Sequence, residues 1–371
     1  MNGLLRAALA GALVVAVVGA SRADTVHFID RATKKEKTYV GTIQEESLAG
    51  IKIKLRSGKN PPVMTVPPGD VTYVVYETKD VDAVSYRAPF RKEDRARLEA
   101  NPKKRVPLYL AAIDGFRTLE GQLRGRPAAR RYMQYKIAEV TVQLAKDDPT
   151  KKDEAIKLLA EYKKDNPAGW QILSVLKTLA KLQEDAGRTD DARKTYEELA
   201  EVPGVPAELK QESEILVGRL LLRGGKYNDA EARLKKLADT LSAGDAQKPF
   251  VDAYLAESRI SQGNPASVEK QLQDLVRNNT DARLRGVVFN LLGDHYRKRN
   301  ELDKAFWSYL RVDAMYNDDA EEQAKALYHL ATLFDKKKND RVRAKECAAR
   351  LKTPRYDGTL YQKLAGGEAK K

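Results

Sequence analysis

Cysteine is almost missing: Cys347 is the single thiol in 371 residues, so no disulfide can form within the chain. Histidine is as scarce. His27, His295 and His329 are scattered, and with one cysteine they cannot assemble a Cys/His zinc cluster. Glycine (23) and proline (15) are too few for a collagen-like or low-complexity chain. Catalytic signatures are absent as well. There is no Gly-x-Ser-x-Gly elbow, no Gly-x-x-x-x-Gly-Lys phosphate loop and no His-Glu-x-x-His helix. Gly224-Gly225-Lys226 matches a phosphate loop only superficially, because it falls where a turn between two helices is needed. Enzyme is therefore the least supported class, a hydrolase or transferase site having no positive feature, and no cofactor is expected. What is abundant is charge: 67 Lys+Arg against 53 Asp+Glu give +14, beside a hydrophobic fraction of 42%. That fraction suffices for a packed core, and the positive balance favours acidic partners.

The one long apolar run lies at the start. Arg6 precedes an apolar or small-residue stretch from Ala7 to Ala20, followed by Ser21-Arg22-Ala23. The order basic, apolar, small resembles a bacterial secretory signal peptide cleaved after Ala23; an uncleaved N-terminal anchor is the alternative. Cleavage leaves 65 basic against 53 acidic residues, net +12, and places the protein in the periplasm or cell envelope.

From Asp24 the apolar period becomes two. Val26 and Phe28 flank His27, Tyr39, Gly41 and Ile43 alternate, and Ile51, Ile53 and Leu55 alternate with Lys52, Lys54 and Arg56. Val71, Tyr73 and Val75 make a last strand, and Ser57-Gly58-Lys59-Asn60-Pro61-Pro62 and Pro67-Pro68-Gly69-Asp70 supply turns. Residues 24–77 thus resemble a small all-β barrel of the SH3-like or Sm-like kind. The acidic residue followed by Met-Asn with which Sm proteins read RNA has no match between Gly41 and Ile53, so specific nucleic-acid binding is not implied. His27, on the polar parity of its strand, is expected to be exposed.

Residues 78–131 form a basic segment in which the apolar pattern fades and charge crowds between Thr78 and Pro107, and a helix-like run follows from Leu108 to Leu123, read as a further helix capping the N-terminal end of the repeats. Residues 85–136 hold fourteen Lys/Arg and five Asp/Glu, so +9 of the mature +12 falls there. One reading is a solvated helical neck or linker. The other is a contact surface for an anionic envelope polymer or lipid headgroups, through Arg91, Lys92, Lys103, Lys104 and Arg105 together with the strand face of Lys52, Lys54 and Arg56.

From residue 132 a pattern repeats. Phe289-x-x-Leu292-Gly293-x-x-Tyr296 is followed by Ala305, Tyr309 and Val312; Leu179-Ala180 by Ala192, Tyr196 and Leu199; Val217-Gly218 by Ala230, Leu234 and Leu237. Leu255-Ala256 leads to Val268 and Leu272, Leu330-Ala331 to Ala344 and Ala348, and Ile137-Ala138 to Ala155 and Leu159. The second-helix positions 155, 192, 230, 268, 305 and 344 recur every 37 to 39 residues. The pattern resembles the tetratricopeptide (TPR) repeat, a helix–turn–helix unit of about 34 residues. The expected architecture is a mostly α, TPR-like solenoid of about six repeats over 132–357, preceded by the β-barrel and ended by a cap and tail at 358–371. Cys347 is expected between core positions 344 and 348, partly buried and inert. His295 and His329 read as helix-surface histidines, and Trp170 and Trp307 as repeat-helix residues packing in core or groove.

The resemblance implies a concave groove, lined by first helices, that receives a protein or peptide segment. One turn from the core pairs, the first helices offer Tyr135, Lys177, Lys181, Arg219, Arg223, Asn290, Arg297 and Tyr328, a mix of cations and aromatics suited to an acidic or carboxylate-bearing partner. The leading expectation is an exported, non-enzymatic scaffold, with an envelope adaptor working through the basic neck as the alternative. Oligomeric state is left open.

Overall fold

The computed structural model describes residues 23–57, 60–263 and 268–367; the leader through Arg22 and part of the turn at Gly263-Asn264-Pro265 lie outside them. Five strands come first: β1 (Asp24–Ile29), β2 (Glu36–Ser47), β3 (Gly50–Leu55), β4 (Val63–Val66) and β5 (Val71–Val75). They form one antiparallel sheet in the order β4-β3-β2-β1-β5. The long β2 can bend because Gly41 lacks a Cβ, which would sit 2.0 Å from the Lys54 carbonyl oxygen. A register shift between Ile43 and Glu45 adds a bulge to the same strand. β4 and β5 are the two edges of this ladder, so its pairing is that of an open sheet, where sequence reasoning expected a barrel.

Helices cover the exposed edge instead. The amides of Val74 in β5 and of Tyr76 just after it donate to the hydroxyls of Tyr132 and Tyr86, each at 3.2 Å. Edge amides that would otherwise invite another strand are thus satisfied from within the chain. His27 is half-buried, not exposed: it stacks on Tyr73 at 3.9 Å, and burial, helped by Arg87, lowers its pKa to about 4.

Residues 78–131 are not a linker. α1 (Ala83–Leu98) is capped by Asp82, and α2 (Pro102–Gln122) by Asn101 with proline at its first position. Gly115 lets α2 meet Pro89 of α1, where an added Cβ would come within 2.8 Å of the proline ring. Tyr86, Tyr109, Ile113, Phe116, Leu119 and Leu123 are buried in one core with Val26, Ile51, Ile53, Val66 and Val74 of the sheet and Tyr132 and Met133 beyond. The charges that suggested a solvated neck occupy the outer faces of these two helices. Asp24 ties the assembly: its carboxylate accepts from the Ile43 and Glu77 amides and from Arg126.

Six helix pairs follow: α3 (Pro127–Asp147) with α4 (Lys152–Asp165), α5 (Ile172–Asp185) with α6 (Thr189–Glu201), and α7 (Ala207–Arg223) with α8 (Tyr227–Ala238). The series continues with α9 (Lys248–Ser261) and α10 (Val268–Asn278), α11 (Ala282–Lys298) and α12 (Leu302–Met315), and α13 (Ala320–Lys336) and α14 (Arg341–Leu351). The small second-helix residues do what the spacing requires: Ala155, Ala192, Ala230, Val268 and Ala305 are wholly buried. Opposite them, Gly218 abuts Leu234 and Gly293 abuts the Tyr309 ring, an added Cβ meeting either at 2.6 Å. The sixth pair departs in register. Ala344 and Ala348 are half-exposed, while Cys347 and Leu351 face the core, so the thiol is itself a packing group and burial raises its pKa to about 11.

Other expectations need correction. Trp170 sits in the loop between α4 and α5, buried with Tyr132 and Tyr135, and Trp307 is exposed. His295 is buried on α11, where among the described residues neither ring nitrogen is hydrogen-bonded, Nε2 lying 3.6 Å from the Glu269 carboxylate. After α14 a 3-10 turn (Pro354–Tyr356) and α15 (Leu360–Gly366) fold back against α13. No described helix is long and apolar enough to cross a membrane.

Candidate functional site: the inner face of the solenoid

The first helices of successive repeats lie side by side, α7 beside α9, α9 beside α11 and α11 beside α13, and make the inner row. The residue that follows the small packing residue recurs along this row: Glu139, Lys181, Arg219, Glu257 and Asp294. An outward-facing position can be any polar residue. Here successive charges stand close together on one surface, where each must find a partner or accept the cost of partial burial.

Most find partners. Glu184 of α5 accepts from Arg219 Nη2 at 2.5 Å and from Arg223 Nη1 at 2.8 Å. Arg223 then reaches across to Glu321 of α13, 3.9 Å away, although five helices separate α7 from α13 in the chain. Glu321 also accepts the Leu360 amide of α15 at 3.2 Å. Asn290 is wholly buried, its amide nitrogen donating to the Glu322 carbonyl at 2.8 Å and to its carboxylate at 2.7 Å. Asp294 pairs with Lys325 at 2.6 Å and accepts from the Tyr309 hydroxyl at 2.6 Å.

The electrostatics follow from this packing. Burial works to raise the carboxyl pKa values of Glu184 and Asp294, but Arg219 and Arg223 beside the first, and Lys325 and His329 beside the second, hold both below the usual carboxylate range. Burial also opposes the charge of Lys325, yet Asp294 and its neighbours carry its pKa well above the ordinary value. Glu257 and Glu322 go the other way: burial raises both, and Lys325 offsets it only in part. Among the inner-face acids, Glu257 makes no side-chain hydrogen bond or ion pair among the described residues.

The eight residues expected to line an open groove therefore divide. Lys177 and Lys181 are exposed, although paired with Glu212 at 2.8 Å and Asp185 at 2.9 Å. Arg297 is exposed, 3.9 Å from Asp294. Arg219 and Arg223 are largely covered, with side-chain exposures of 12% and 18%, and spend their charge on Glu184. Asn290 is sealed beneath Glu322. Tyr135 is packed among Tyr132, Tyr162 and Trp170, and Tyr328 lies against Tyr361 of α15. The groove is closed over much of its length, and its acids were overlooked in the sequence. The signal was present: the column that supplies Lys181 and Arg219 also contains Glu257 and Asp294.

The five residues expected to meet a polyanion differ in exposure. Arg91, Lys92, Lys103 and Lys104 are exposed on α1 and at the start of α2, Lys92 donating at 3.5 Å to the Ala111 carbonyl. Arg105 is excluded from such a contact, because its guanidinium is held by the Asp147 carboxylate and the Glu99 carbonyl. On the strand face, Lys52 is paired with Glu45 at 2.6 Å while Lys54 and Arg56 are exposed. Two surface depressions, of about 430 and 420 Å³, are lined by other residues, around Asp274 and around Tyr227.

The geometry defines a class: a TPR-like helical repeat protein with a small antiparallel sheet at its N-terminal end. Among solved structures, a tetratricopeptide repeat protein from Parabacteroides merdae matches 76% of this chain and 99% of its own, with a TM-score of 0.52 at 15% identity. A structure from the functional characterization of Pseudomonas aeruginosa pilF matches 64% of this chain and 99% of its own at 18% identity, TM-score 0.33. The APC/C hetero-tetramer Cut9–Hcn1 matches 75% of this chain and 54% of its own at 14% identity, TM-score 0.43. No protein-family model matches the sequence, and no curated protein does.

Proposed function

We propose that the chain is an exported, non-enzymatic scaffold whose inner face receives a segment of a partner protein. The observation that carries this reading is the charged column Lys181, Arg219, Glu257 and Asp294, at one equivalent position of four successive repeats on the surface where such solenoids bind. The partner's charge is reconsidered. Six acids, Glu184, Glu257, Asp294, Asp319, Glu321 and Glu322, stand here against six cations, Lys177, Lys181, Arg219, Arg223, Arg297 and Lys325, and because Glu257 makes no side-chain hydrogen bond or ion pair among the described residues, the unmet charge favours a basic segment over an acidic one. Export rests on residues 1–23 and is supported by the start of β1 at Asp24, immediately after the expected cleavage point.

Photo-crosslinkers placed at Lys181 on the inner face and at Lys157 on the outer side of α4 test the reading. Partner adducts from position 181 and none from 157 are expected; adducts from 157 alone would refute it. The adaptor reading retains one specific observation, the exposed Arg91, Lys92, Lys103 and Lys104. It predicts that polyglutamate binds the full chain at low salt and is released as salt screens these charges over about 8–10 Å. Absence of binding at low salt removes it.

A further inference from the structure

The solenoid closes on itself, and the closing piece is its own C-terminal segment. Two glycines separated by most of the repeat region mark the contact. Gly358, at φ +85°, lies so close to the turn after α5 that an added Cβ would come 2.0 Å from the Asp185 carbonyl oxygen. Gly187, at φ +71°, faces Lys363 of α15, an added Cβ falling 1.8 Å from the ammonium nitrogen. Any larger residue at Gly358 adds a clash with backbone to a conformation that L-residues disfavour, whereas at Gly187 the positive φ is the constraint, since the end of the Lys363 side chain can swing aside. The remaining contacts run along α13. The Tyr356 hydroxyl donates to Gln323 at 2.8 Å with both side chains buried, and the Leu360 amide donates to Glu321 at 3.2 Å. Tyr361 packs on Tyr328 and His329 with ring centroids 5.5 and 5.7 Å apart.

A helix that merely capped the last repeat would need contacts with α13 and α14 only. This segment also touches the turn of the second repeat, and Glu321, which it engages, is the residue Arg223 approaches from α7. The segment and the Arg223–Glu321 pair thus bridge the same opening. Its composition suits that surface: residues 354–366 carry Arg355, Lys363, Tyr356 and Tyr361 against a single acid, Asp357.

We propose that residues 354–366 are a latch occupying the inner face, and that the partner segment bound there is basic and tyrosine-bearing and competes with the latch. This rests on the scaffold reading above and adds the chemistry of its ligand. The occupant already shows what the surface takes: a tyrosine hydroxyl at Gln323, a main-chain amide at Glu321, an aromatic ring on Tyr328 and a cation at the second repeat's turn.

The test uses the full chain and a fluorescent synthetic peptide of residues 353–367. The Gly358→Val chain, its latch displaced, should bind the peptide at least about tenfold more tightly than the unaltered chain does. A peptide with Arg355→Glu and Lys363→Glu should not bind either chain. Equal affinity for both chains, or equal binding of the charge-reversed peptide, overturns the proposal. Should Gly358→Val fail to fold, Tyr361→Ala weakens the latch from its other side and is judged by the same criteria. Hydrogen exchange on the unaltered protein gives a second criterion. Amides of α15 should exchange through an opening separate from, and at least tenfold more frequent than, that of α13; exchange of both in one event identifies α15 as a fixed cap and refutes the latch. A failed peptide experiment leaves the inner-face crosslinks unaffected, so it would reject the latch without rejecting the scaffold.

Discussion

The two places where this chain fastens its helices together differ in their main material, although the first also buries one ion cluster, Lys136 between Glu93 at 2.8 Å and Glu139 at 2.5 Å. At the N-terminal end the sheet, α1, α2 and α3 meet through aromatic rings: Phe90 stands edge-on to Phe116 at 4.8 Å, and Tyr76, Phe90, Tyr132 and Trp170 continue the stack. Across the inner face of the later repeats the filling is ionic, Glu184 with Arg219 and Arg223, and Asp294 with Lys325. Apolar burial is non-directional and needs no partner in a fixed orientation. A buried ion pair recovers its desolvation cost only while both members remain, so it is a weak source of net stability and a strong source of sensitivity to change. The first region is suited to holding the chain together; the second is suited to opening.

Mutations can break this contrast. Phe116→Ala should give the largest loss, about 3–5 kcal/mol in denaturant melts, because it leaves a cavity where a fully buried ring stood. Lys325→Met should cost about 3 kcal/mol by stranding the Asp294 carboxylate, whereas Lys325→Met with Asp294→Leu should recover most of it. If the double variant is as damaged as the single, the inner face is packed like the N-terminal core and the contrast fails.

The pH dependence sharpens the comparison. Glu184, Asp294 and Asp319 have depressed folded pKa values, so their stabilisation is present above the ordinary carboxylate value near about 4 and is lost as pH falls through their folded values. Glu257 and Glu322 have raised values, so their contribution is favourable below about 4 and disappears as pH rises through the folded pKa. Glu257→Gln should therefore stabilise the protein at pH 7 by on the order of 1 kcal/mol, with the gain vanishing near pH 4. A gain that persists at pH 4 would show that Glu257 ionisation is not its source. The smallest effect is expected of Arg297→Ala, about half a kcal/mol or less, since that side chain is exposed and 3.9 Å from its nearest acid.

The contrast also explains what could be read in advance. Helix pairs were legible because Ala192, Ala230 and Ala305 must be small wherever two helices approach closely, and that demand recurs at a fixed interval. The strands were legible from alternation at Ile51 and Ile53. Residues 78–131 were legible as helical, but their packing against the sheet was missed because Arg91, Lys92, Lys103 and Lys104 outweigh, in a local window, the apolar stripe of Tyr109, Ile113, Phe116 and Leu119. Closure of the groove was not legible at all. It depends on how far each repeat rotates on the last, and that brings Gly358 to Asp185 through many small angles no single residue encodes. The partners of Arg219 and Arg223 depend partly on the same curvature, which is why both looked available.

Amine-reactive labelling of the unaltered protein, followed residue by residue by mass spectrometry, tests the central claim of a closed inner face most directly. Lys177 and Lys181, with side-chain exposures of 51% and 59%, should label rapidly, and Lys325, at 10% and paired with Asp294, at least about tenfold more slowly. Labelling of Lys325 at the rate of Lys181 would mean that the groove stands open and would contradict the account.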